Sequence, residues 1–223
     1  MVPCGYAPGE LIPMDTRHAR DVLGWNQDTF YLLQLGRMVP RKGIDNVIQA
    51  LARLRRNYGV DARLCVVGGD FALRDAGDAD EFMRLRDIAV QEGVRDVVEF
   101  AGSRPRSVLA RYYSACDVFV TTPWYEPFGI TPVEAMACRR PVIGSDTGGI
   151  RYTVVDGETG FRVPPRNPDA LAEKLAVLAQ DRQLCARMGN AGAARARALF
   201  TWTQVGDELA GIFRSMAAVR TLP

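Results

Sequence analysis

Two carboxylates and two cations stand where loops meet helices, and the places they take suit an anionic ligand. Glu126 and Glu134 bracket Pro-Phe-Gly-Ile-Thr-Pro-Val. The stretch follows an apolar run, residues 117–122, that reads as a buried strand. It leads into a second apolar run, residues 133–137, that reads as a helix. Pro127, Gly129 and Pro132 punctuate the junction. Thr131 is expected to be the helix N-cap, with Pro132 at the first helical position and Glu134 three residues after the cap. A helix N-terminus then opens at the carboxyl end of a strand. Unpaired N–H groups and the helix dipole favour an anion such as a diphosphate there, and parallel α/β sheets bind ligands at such strand ends. Arg37 and Lys42 lie on another loop between a strand and a helix. Arg offers a bidentate fork to a diphosphate and Lys a point charge.

Each residue type also has a plainer use. Thr131-x-x-Glu134 is a capping box, which by itself accounts for both residues. Arg37 and Lys42 fit a solvated basic loop, and Glu126 fits a solvated loop position. Phe128 serves equally as a core plug or as the wall of a ligand pocket.

The elements that must position these residues alternate along the chain. Strands are expected over residues 30–36, 62–67, 97–101, 117–121 and 141–145. Helices are expected over 15–23, from about 44 to 56, and over 80–91, 107–114, 169–178, 182–199 and 201–219. Gly68, Gly69 and Asp70 follow the second strand, where paired glycines permit close backbone approach or a turn. Asp156-Gly157 marks a turn between two short extended pieces within residues 154–164. Such alternation predicts an α/β class: a doubly wound, Rossmann-like parallel sheet flanked by helices, with extra C-terminal helices. No G-x-G-x-x-G follows the first strand and no G-x-x-x-x-G-K-[ST] is present, which argues against a dehydrogenase or a P-loop phosphotransferase.

Composition narrows the classes. The 223 residues suffice for one sizeable domain with an appended element. Lys and Arg total 28 against 26 Asp and Glu, a net charge of +2 that gives no argument for nucleic acid or an anionic membrane. The start carries Pro3, Gly5 and Pro8 rather than a basic patch and an apolar core, so no signal peptide is expected. The five cysteines are scattered and form no C-x-x-C pair, so buried free thiols and a cytoplasmic setting are expected. His18 is the sole histidine, which rules out a histidine-cluster metal site.

Glu126-Pro-Phe-Gly-Ile-Thr-Pro-Val-Glu134 resembles the E-x7-E motif of the family 4 (group 1) retaining nucleotide-sugar glycosyltransferases. Gly36-Arg37, Lys42 and Gly43 resemble the same family's G-R-x-x-x-x-K-G pattern, and Asp146-Thr-Gly-Gly-Ile150 its Gly-Gly loop. The family continues Gly-Gly with an apolar residue, Pro and Glu, whereas here Ile150 is followed by Arg151 and Tyr152. The resemblance covers only the donor-binding, C-terminal half of a two-domain GT-B enzyme. It implies an interdomain linker over 1–24, a donor-binding Rossmann-like domain over 25–199 and a crossover helix over 200–223. Beginning at a linker suggests a half cut from something longer.

The resemblance also implies roles. Arg37 and Lys42 neutralise the departing diphosphate and, with Glu126, are the catalytic residues, while Gly36 and Gly43 belong to the donor-binding positions. Glu126, with the backbone of Phe128 and Gly129, holds hydroxyls of the transferred sugar. Ile130 and Thr131 offer backbone N–H groups to phosphate, and Glu134 accepts from the ribose hydroxyls. Gly102, Ser103 and Arg104 lie beside the base. No cofactor is implied beyond the nucleoside diphosphate sugar substrate, and the chemistry is expected to be metal-independent. The partners expected are the nucleotide-sugar donor and the missing N-terminal acceptor-binding domain, with membrane contact only through that half. Because His18 does not match the family's sugar-contacting histidine, the chain alone is expected to bind nucleotide without efficient transfer. The alternatives are a non-catalytic nucleotide-binding module needing a partner chain, and a related GT-B nucleotide-sugar epimerase.

Overall fold

The computed structural model describes residues 2–69 and 76–219. After an extended start the chain runs α1 (Thr16–Leu23), β1 (Phe30–Leu35), α2 (Ile44–Tyr58), β2 (Ala62–Val67), α3 (Ala76–Gln91) and β3 (Val98–Gly102). It continues α4 (Arg106–Ala115), β4 (Val118–Thr121), α5 (Ile130–Ala137), β5 (Val142–Ser145), α6 (Ile150–Thr153) and β6 (Gly160–Val163). Three helices close it: α7 (Pro168–Gln180), α8 (Arg182–Leu199) and α9 (Trp202–Val219).

The strands pair in parallel in the order β3-β2-β1-β4-β5-β6. Side chains alternate between faces along each strand. Phe30 and Leu32 therefore join Val47, Ile48, Leu51, Leu171 and Leu175 under α2 and α7. Tyr31 and Leu33 join Tyr113, Phe119, Met136 and Phe200 on the other face, under α4, α5 and α8. Strands buried on both faces need no polar alternation, which is why they read as near-continuous apolar runs. The chain winds from β1 outward to β3, then crosses to β4 and winds the other way to β6. The reversal lies between β1 and β4, and a crevice opens beyond the carboxyl ends of strands at such a point.

Helix ends follow local chemistry. Asp15 caps α1 by accepting from the His18 N–H, and Gly24 closes it in the left-handed region. Asn167 caps α7 and Asp181 caps α8 in the same way as Asp15. Several element bounds shift by one or two residues, and outside the site three larger details differ from the sequence reading. α3 begins at Ala76 rather than Asp80. Residues 150–153 form a helical turn that no periodicity announced. Of the two extended pieces expected within 154–164, only β6 enters the sheet; Asp156 contributes a single bridge to Gly160. Asp70 and residues 220–223 lie outside the described residues.

Residues 2–24 are packed against the sheet domain. The Tyr6 N–H donates to the Phe200 carbonyl at 2.8 Å, and the Trp202 N–H to the Tyr6 carbonyl at 3.2 Å. Arg20 is buried, donating to the Ala115 and Gln27 carbonyls and pairing with Asp117 Oδ2 at 2.7 Å. By contrast α9 leaves Trp202, Ile212, Phe213 and Met216 exposed. All five cysteines are free thiols, with Cys65, Cys116 and Cys138 buried. Burial pushes the Cys116, Cys138 and Cys185 thiols up to about 12. Among the described residues no helix is long and apolar enough to cross a membrane.

Candidate functional site

The two loops singled out by their charges flank the reversal point, one after β1 and one after β4. They are joined along their backbones. The Trp124 N–H donates to the Arg41 carbonyl at 2.9 Å, and the Arg41 guanidinium reaches the Tyr125 carbonyl at 3.3 Å. Thr122 Oγ1 donates to the Gly43 carbonyl at 3.0 Å. Gly43 has φ +65°, and a Cβ there would lie 2.1 Å from the Thr122 carbonyl oxygen. Only glycine serves where this turn lies so close against the neighbouring loop.

This contact brings Lys42 to Glu126. Their charged atoms lie 2.6 Å apart, with both side chains about 15% exposed or less. Arg37 is exposed, and its guanidinium makes no hydrogen bond or ion pair among the described residues, while its carbonyl accepts from the Val39 N–H at 3.1 Å. Beside it, Gly36, Arg37, Gly68, Ser103 and Arg104 line part of a cleft of about 230 Å³ at the ends of β1, β2 and β3. The Arg104 Nε donates to the Tyr112 hydroxyl at 3.0 Å, and Gly102 is buried beneath the cleft, its carbonyl accepting from the Gly68 N–H.

The start of α5 departs from the expected cap. Gly129, with φ +92°, is the N-cap residue, no side chain caps the helix, and Thr131 is already its second residue. The capping box is therefore not formed. A glycine in the left-handed region turns the chain into the helix, and the first N–H groups of α5 are left to ligand or solvent. Glu134 turns elsewhere. Its Oε1 accepts from Arg106 Nη1 at 3.0 Å and its Oε2 from the Tyr113 hydroxyl at 2.9 Å. Burial, then the Glu134 charge, pushes the Tyr113 phenol well up. Glu10, which also bonds Arg106, raises that guanidinium above its ordinary range, with help from Glu134.

A wall stands behind the loop. The Gly149 N–H donates to the Glu126 carbonyl at 2.7 Å. Phe128 packs edge-on against Phe200 at 5.8 Å and near Tyr152 at 6.4 Å, so its ring serves as a packing plug. Ile130 likewise packs against the core. The structure thus groups Lys42, Gly43 and Glu126; groups Gly36, Arg37, Ser103 and Arg104; and places Gly129, Ile130 and Thr131 at an uncapped helix start. Sequence reasoning missed Arg106, Tyr113 and Glu10 around Glu134. Arg106 and Tyr113, seven apart on α4, share a helix face, which is a usable signal; Glu10 gave none. Among the described residues no group of His, Cys, Asp and Glu could hold a metal ion.

The profile of the family described as glycosyl transferases group 1 matches residues 15–195. The D-inositol 3-phosphate glycosyltransferase of Stackebrandtia nassauensis is 34% identical over 216 residues, covering 96% of this chain and 48% of that protein. The sucrose-phosphate synthase of Thermosynechococcus elongatus superposes with a TM-score of 0.87 at 34% identity, over 98% of this chain and 52% of that one. HepE of Anabaena, solved in complex with UDP and glucose, superposes with a TM-score of 0.82 at 27% identity, over 95% and 55%. The chain thus spans about half the length of the curated relatives it matches. Its doubly wound parallel sheet is that of the GT-B glycosyltransferases, and the chain belongs to the group 1 glycosyl transferases.

Proposed function

We propose that this chain is the donor-binding half of a retaining glycosyltransferase, which transfers a hexose from a nucleoside diphosphate sugar to an acceptor. The observation that carries this reading is the Lys42–Glu126 pair, set at the sheet's reversal point beside the uncapped start of α5. In the structure each charge neutralises the other. An incoming diphosphate recruits Lys42, and Glu126 is released to accept from hydroxyls of the transferred sugar. Arg37 adds a forked donor to the same diphosphate, and the N–H groups of Ile130 and Thr131 add the helix dipole. Charge that develops on the departing nucleoside diphosphate then meets fixed cations and dipoles, the usual source of transition-state stabilisation. Two protein cations take the neutralising role, so the reading calls for neither a metal nor a cofactor. The cleft beside Ser103 and Arg104 receives the base and Glu134 the ribose.

The acceptor site belongs to the other half of such an enzyme, so this chain alone binds nucleotide and transfers sugar poorly. The free thiols suit a cytoplasmic setting. Calorimetric titration with UDP, GDP and ADP, without metal, tests the reading. Saturable binding of one of them is expected, weakened tenfold or more in an Arg37→Ala/Lys42→Ala double variant, on the order of a lost charged hydrogen bond. Binding that ignores the double substitution would sink the site assignment. A second reading, a non-catalytic nucleotide module that works with a partner chain, draws support from the exposed apolar residues of α9. Turnover on adding an acceptor-domain chain in trans would separate an enzyme half from such a module.

A further inference from the structure

The donor reading leaves one arrangement unused: both oxygens of Glu134 are engaged by side chains of the chain itself. Its side chain is 4% exposed, and Arg106 and Tyr113 engage its two oxygens. Tyr113 is fully buried and has nowhere to go. Arg106 is half exposed and already makes a second bond, from its Nε to Glu10 Oε2. Glu10 is half exposed as well, and a groove of about 340 Å³, lined by Gly9, Glu10, Arg106 and Ser107, lies on its side.

We propose that Arg106 is a positioning residue that covers Glu134 in the nucleotide-free chain and moves onto Glu10 when a ribose cis-diol takes its place. This rests on the donor reading, in which Glu134 meets the ribose. A guanidinium carries five N–H donors in a fork that fits one carboxylate with two bonds. Arg106 can therefore give up Glu134 and take Glu10 in bidentate fashion without stranding its charge. The buried carboxylate meanwhile keeps the Tyr113 hydroxyl and gains two sugar hydroxyls. It is never left uncompensated, which would carry a heavy desolvation cost. Until that exchange Arg106 competes with the diol, and Glu10 sets how readily it yields.

The test compares wild type, Arg106→Gln and Glu10→Gln, each titrated with UDP, GDP and ADP and with their 2′-deoxy counterparts. The quantity read is the ratio of ribo to deoxy affinity. Contacts of Arg106 with the diphosphate affect both ligands alike and cancel in this ratio. Removing the competitor in Arg106→Gln is expected to raise the ratio about fivefold, the scale of one net hydrogen bond. Removing its alternative partner in Glu10→Gln is expected to lower the ratio by a similar factor. A ratio that falls in both variants would make Arg106 a fixed support of Glu134 and overturn the proposal, as would a ratio unchanged in both. Both positions are half exposed, so the variants are expected to fold. If wild type binds none of the three ribonucleotides, the donor reading and this exchange fail together; ribonucleotide binding with the wrong pattern of ratios sinks the exchange alone.

Discussion

A Cβ on Gly149 would lie 2.3 Å from the Phe128 Cα, and one on Gly148 2.2 Å from the Glu126 carbonyl oxygen. These two residues hold the site loop from behind by leaving it no room to retreat. Gly149→Ala is expected to destabilise the chain by about 1–3 kcal/mol, the usual cost of overpacking, and to weaken nucleotide binding as residues 126–129 are pushed out of place. Urea unfolding and calorimetry check the two effects, and a variant with wild-type stability would contradict the contact. At this scale the sequence was informative where a charge sits in a loop near a turn residue. Arg37, Lys42 and Glu126 could be picked out because nothing in their surroundings suggested a core role. Glu134 could not be placed so fully, because its partners come from α4 and from the N-terminal segment. Thr131 misled because its spacing to Glu134 satisfies a capping rule, while Gly129 supplies a backbone turn that makes the cap unnecessary.

Among the elements, β2 and α8 have the bounds expected from periodicity, because each carries a full apolar pattern between clear stops. α6 escaped notice since four residues are too few to show a helical period. Its turn is held by tertiary packing and by the Tyr152 and Thr153 N–H bonds to the Gly149 carbonyl. Asp181 shows how much a single side chain can set at this scale. It stands between α7 and α8, where its carboxylate accepts from the Leu184 N–H at 2.8 Å. Asp181→Ala is expected to cost about 1 kcal/mol through the lost cap, lowering the melting midpoint by roughly 2–4 °C for a chain of this size. Asp181→Asn should recover most of that loss, since Asn caps about as well. Thermal unfolding of both variants measures it, and equal losses in the two would point to the Asp181–Arg187 ion pair instead.

For the whole molecule, the winding of the sheet about β1 and β4 is the decisive fact, because it brings two loops distant in sequence to one crevice. Alternating strands and helices announced that class of fold, whereas what covers α9 was not in the pattern. Trp202, Ile212, Phe213 and Met216 are exposed together on that helix, and contiguous apolar surface of this kind favours association. Sedimentation at rising concentration is expected to show self-association of the wild-type chain and its loss in a Phe213→Glu/Met216→Lys variant; a wild type that stays monomeric throughout would refute this. The clasp between Tyr6 and the α8–α9 junction has a kinetic consequence. It joins the two ends of nearly the whole polypeptide, and closing a loop of that length carries an entropic cost on the order of 5 kcal/mol when it forms from an open chain. Opened from the native fold, however, it releases only a few backbone bonds and one short segment. The amides of Tyr6 and Trp202 should therefore exchange with deuterium well before those of β1 and β4, through a local fluctuation that leaves the sheet closed.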